Sequence, residues 1–127
     1  MEKQELYAQL DRLGFHTQEA LNRFMGNEAL FLSFVRQLPQ KLNLASIRQE
    51  LEAEDEETFY IGVHNLKGLA GNLSMVHIQE CAQAILVEFR TSKFKNKKKL
   101  SSLIQEAETE SEAIVKTIEQ YLKEEQA

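Results

Sequence analysis

Side chains able to do chemistry cluster in one short run of this chain, His64-Asn65-Leu66-Lys67-Gly68-Leu69-Ala70-Gly71-Asn72-Leu73. Imidazoles ordinarily titrate near about pH 6.5, so at neutral pH a histidine ring offers a lone pair to an electrophile. A lysine follows His64 at spacing three, and glycines follow at spacings four and seven. On a helix, such spacings return side chains to the same side. Lys67 is therefore expected to reach toward a group bonded to the His64 ring. Two glycines inside one helix cost about 1 kcal/mol each relative to alanine. Clearance offsets that cost, because with nothing at Gly68 and Gly71 the imidazole stands free and a second protein's backbone can come close. These features suit phosphoryl transfer, whose loose transition state needs in-line placement and positive charge beside the equatorial oxygens.

The element that must hold these residues is a helix. Phe59, Val63, Leu66, Ala70 and Leu73 recur at steps of four and three, which makes one apolar stripe over 56–73. At 100° per residue, His64 falls roughly 140° from the centre of that stripe, on the solvent side. Ile61 lies on the same outer side, where an apolar residue marks a docking surface. Asn72 is a further candidate for partner contact.

Around this helix the pattern predicts an all-α chain. Short helices are expected at 2–13, ended by Gly14, and at 18–25, with Thr17 as N-cap and Gly26 as stop. One long helix over 28–53 follows, capped by Asn27 and kinked or broken near Pro39. Asp55 caps the 56–73 helix, and further helices are expected at 75–91 and 98–123, with Lys93–Lys99 as a basic link. No segment alternates with period two. Four substantial helices with short links imply an antiparallel up-and-down four-helix bundle, the two short N-terminal helices covering one end.

Composition narrows the function. A length of 127 residues suits one domain, 1–127. The net charge of −5 and the absence of tryptophan disfavour nucleic-acid binding. No apolar run approaches the roughly 18 residues of a membrane span, and Met1–Leu10 is no signal peptide. The single cysteine, Cys81, has no internal partner, which suits a reducing compartment, so a cytoplasmic location is expected. Cys81 reads as a small buried hydrophobe. His77-x-x-Glu80 has the reverse order of the bundle di-metal motif and no second copy, so no metal ligand and no bound cofactor are expected. A nucleotide-binding Gly-x-x-x-x-Gly-Lys loop is absent too, so no autonomous ATP-dependent kinase activity is expected.

The central run resembles the signature of the histidine-containing phosphotransfer (HPt) domain family, His-x-Leu-Lys-Gly-x-Ala-x-x-Leu, at every fixed position. The stretch from Gly14 to Phe34 and the placement of Pro39 resemble the family as well. The resemblance implies a phosphocarrier of a multistep two-component phosphorelay. His64 matches the phosphoacceptor, Lys67 the lysine that steadies the phosphoryl group, and Gly68 the small residue that keeps the ring accessible. Ile61, Gly68, Gly71 and Asn72 would meet the partner. Implied partners are response-regulator receiver domains, which would bring Mg²⁺, and a hybrid sensor histidine kinase. A monomeric, free-standing chain is expected, and the competing reading is a non-phosphorylated helical adaptor using the same face. Ser74 and Met75 depart from the family's usual Gly-Ala, which puts the helix exit at issue.

Overall fold

The computed structural model describes residues 1–126; the last residue of the expected domain, Ala127, lies outside the described residues. Among these the chain is all-helical, with α1 (Lys3–Arg12), α2 (Thr17–Arg23), α3 (Glu28–Lys41), α4 (Leu44–Ala53), α5 (Glu56–Asn72), α6 (Val76–Ser92) and α7 (Lys97–Glu125). No helix is long and apolar enough to cross a membrane.

Local chemistry sets most boundaries. The side chains of Asn27, Asn43, Asp55 and Asn96 accept from the backbone N–H of Leu30, Ser46, Thr58 and Lys99, which gives α3, α4, α5 and α7 their starts. Asn96 pulls the start of α7 back to Lys97, so three of the lysines expected in the link are helical. The long helix expected over 28–53 is two helices. Pro39 sits in the last turn of α3, and the break falls beyond it, at Leu42 and Asn43, where Asn43 caps α4. Thr17 is not a cap but the first residue of α2. Its N–H and hydroxyl donate to the Asp11 carboxylate at 2.9 and 3.2 Å, which ties α2 to the end of α1.

The apolar stripes meet in one core. α4 packs on α5, α5 on α6, α6 on α7 and α7 on α4; α3 and α1 also lie on α7, and α2 touches α1 and α3. Phe59, Val63 and Ala70 of the α5 stripe are fully buried, and Leu66 nearly so. Phe59 stands 5.1 Å from Phe89 and 5.4 Å from Phe94, centroid to centroid. Burying one such large side chain contributes about 1.5–3 kcal/mol, so the stripe fixes both the position and the rotation of α5. Arg48 adds a polar tie between α4 and α7, with Nη2 2.8 Å from Glu108 and Nη1 2.6 Å from Ser101.

Candidate phosphoacceptor site

With α5 clamped by its stripe, its opposite side faces water. His64 is exposed, as are Asn65, Gly68 and Asn72. The His64 ring lies over Tyr60, one turn earlier, with centroids 5.9 Å apart and planes 8° from parallel. This is the offset-parallel arrangement that aromatic rings favour. Tyr60 is held in turn from α6. Arg90 Nη2 donates to the Tyr60 hydroxyl at 3.4 Å, and the guanidinium carbon is 5.8 Å from the ring centroid. A chain of contacts thus runs from α6 through Arg90 and Tyr60 to the imidazole. Neither Tyr60 nor Arg90 was indicated by the motif; an aromatic residue four positions before His64 was the available signal.

The two glycines differ. A Cβ built on Gly68 meets nothing within 4 Å, so the space one turn beyond His64 is open. A Cβ on Gly71 comes 3.1 Å from Gln79 Nε2, so this half-buried glycine gives room to a side chain of α6 and not to an approaching molecule. A third glycine, Gly62, carries the close contact between α4 and α5. Its added Cβ would lie 3.0 Å from Glu50 Oε2 and 3.3 Å from Ile47 Cγ1.

Lys67 is half-buried beside a groove lined by Val76, Gln79, Glu80, Gln83 and Ala84 of α6. Among the described residues, ion pairs occupy Lys3, Lys93, Lys97 and Lys99, and Lys67 has none, so its charge is not neutralised by a neighbour. Ile61 is 47% exposed, and Val87 on α6 is 51% exposed. Asn72 presents its side chain to solvent, while its carbonyl accepts from Arg23 Nη1 at 3.3 Å.

The helix exit after Leu73 has a definite structure. Met75 N–H donates to Ala70 C=O and Ser74 N–H to Gly71 C=O, the paired bonds of a Schellman turn. That turn needs a left-handed residue, and Ser74 takes it with φ of 54°. Glycine is the usual occupant because it lacks the Cβ that makes this conformation costly. Here side-chain bonds offset the cost: Ser74 Oγ accepts from Arg23 at 2.6 Å and donates to Glu19 at 3.1 Å. Arg23 and Ser74 together hold the Glu19 carboxyl below its ordinary value. Met75 is fully buried and pairs with Phe15 across an isolated bridge.

His77 does not join Glu80. It turns to α7, with Nδ1 3.0 Å from Glu110, and one of its ring nitrogens lies near Cys81 and Glu106. Cys81 is buried, and its thiol is pushed up to about 11 by burial and by the Glu106 carboxylate beside it. His16 lies in the turn before α2, exposed, 3.7 Å from Glu19.

Compared with protein-family models, with curated proteins and with solved structures, the chain matches none.

Proposed function

We propose that this chain is a histidine phosphotransfer protein, a carrier that receives a phosphoryl group on His64 from the phosphoaspartate of a receiver domain and returns it to another. The observation that carries the reading is an exposed imidazole beside a glycine whose side-chain position is open space. The closed circuit of α4, α5, α6 and α7 is what an antiparallel four-helix bundle of this family would need, with α3 and the N-terminal helices added around it.

In the proposed step a ring nitrogen of His64 attacks phosphorus as the bond from phosphorus to the aspartate oxygen breaks. The electron pair leaves on the carboxylate, and the other ring nitrogen keeps its proton. The Tyr60 ring limits how the imidazole can swing, so it is held ready for in-line attack. Lys67, unpaired among the described residues, is the one cation of the motif able to turn toward the equatorial oxygens. Mg²⁺ and most of the catalytic groups would come with the receiver. Ile61 on α5 and Val87 on α6 are exposed apolar side chains that a partner could cover, with Asn72 further along α5. A carrier working between receivers of this kind would be cytoplasmic.

The test is transfer from phosphorylated receivers of the host, each mixed with the purified chain. Acid-labile, alkali-stable label on the wild type and none on His64→Gln is the expected result. Label that survives in His64→Gln, or no label from any receiver, overturns the proposal. Receiver binding without label, unchanged in His64→Ala, would instead mark an adaptor.

A further inference from the structure

The side chains between α6 and α7, away from His64, form a second chemical centre. His77 and Cys81 lie four residues apart on α6, and Glu106 and Glu110 lie four apart on α7. Each pair therefore projects from one side of its helix, and the two sides face each other. One ring nitrogen of His77, the Cys81 sulfur and a Glu106 oxygen all lie within 4.8 Å of one another. Cys81 Sγ is 3.7 Å from Glu106 Oε2. Zinc bonds of about 2.0–2.3 Å at tetrahedral angles place ligand atoms roughly 3.3–3.6 Å apart. Closing the triangle around an ion therefore draws the ligand atoms together by about 1.5 Å at most.

We propose that His77, Cys81 and Glu106 bind a zinc ion.

Three further observations support the assignment. The donor set of thiolate, imidazole and carboxylate is the one borderline-soft Zn²⁺ takes, and is poor for Mg²⁺ or Ca²⁺. Next, the charge there is unbalanced. Glu106 lies 3.7 Å from the Cys81 sulfur and Glu110 3.0 Å from His77, yet among the described residues only His77 stands as a potential cation against either carboxylate. Zn²⁺ with one thiolate and one carboxylate sums to zero; the thiol proton leaves to solvent as the Zn–S bond forms. Lastly, the surroundings hold the imidazole in place. Glu110 sits 3.0 Å from His77 Nδ1 and steadies the ring from α7. Gly14 packs so closely that a Cβ there would lie 2.9 Å from both His77 Cβ and Glu110 Oε1. Three protein ligands leave a fourth position for water, since His77 and Glu106 reach the surface.

The inference is independent of phosphotransfer. Its test is titration of metal-free protein with Co²⁺ and with Zn²⁺, in competition with a chromophoric chelator. Expected are one equivalent bound per chain, near-ultraviolet sulfur-to-cobalt absorption, and a melting temperature that rises with Zn²⁺ concentration. Affinity should fall at least tenfold in Glu106→Gln and His77→Gln, and the sulfur-to-cobalt band should vanish in Cys81→Ala. Should Cys81→Ala fail to fold, the other two variants, at surface-reaching positions, decide. Binding without the sulfur band, or equal affinity in wild type, Glu106→Gln and His77→Gln, would assign the ion to scattered surface carboxylates and overturn the proposal.

Discussion

The rings of Tyr60 and His64 lie 8° from parallel, one helical turn apart, with Arg90 reaching from α6 to the Tyr60 hydroxyl. Tyr60 thus restricts an otherwise exposed imidazole. If His64 carries the proposed phosphoryl group, replacing the ring with Tyr60→Ala should slow its transfer by about tenfold, as expected when a reacting group loses its alignment. Tyr60→Phe keeps the stacked ring and should stay near the wild-type rate. Rapid-quench measurement of phosphoryl transfer distinguishes the two; equal rates in all three proteins would deny Tyr60 a positioning role.

In the proposed function Gly68 sets access against stability. Its side-chain position is empty, and the backbone there is ordinary helix. Gly68→Ala should therefore stabilise the fold by up to about 1 kcal/mol. Gly68→Gln should keep the helical content yet block transfer, because a long side chain one turn from His64 fills the approach path. Thermal melts and the transfer assay read the two effects separately.

Gly14 and Gly26 both have positive φ, of 92° and 78°, but their surroundings differ. Around Gly26 an added Cβ meets nothing, so Gly26→Ala should cost only the backbone penalty, about 1–2 kcal/mol. Gly14→Ala adds a collision with His77 and Glu110 to that penalty, and should cost about 2–4 kcal/mol. Urea unfolding with unchanged m-values would check the order.

Acid should unfold the protein through its paired glutamates. Hydrogen bonds from Lys3 and Tyr7 hold Glu28 below its ordinary value of 4.5, and Arg36 does the same for Glu125, as Lys99 does for Glu88. A carboxyl lowered in the folded state contributes stability that is present above 4.5 and lost as pH falls through the lowered value. Melting temperature should thus drop as pH is taken from 5 toward 3, and less steeply in Glu28→Gln. A Glu28→Gln profile parallel to wild type would remove Glu28 from the account.

The order of helices, the caps at Asn27 and Asp55 and the outward direction of His64 were legible in the sequence. Capping and amphipathic periodicity link residues three or four apart, and one helix expresses them without help from its neighbours. The break after α3 was only half legible, because proline weakens a helix while the next cap, Asn43, decides where the new one begins.

What required the tertiary structure are the relationships between helices. Gly68 and Gly71 look alike along the chain, yet one faces open space and the other faces Gln79 of α6. Ser74 holds a left-handed turn only because Arg23 and Glu19 meet it from α2. Cys81 gained Glu106 as a neighbour, and His77 gained Glu110, through the packing of α6 on α7. Such contacts join different helices, from Gly71 and Gln79, eight positions apart, to Ser74 and Glu19, 55 apart, and local periodicity says which face is apolar but not which residues of the facing helix will lie against it.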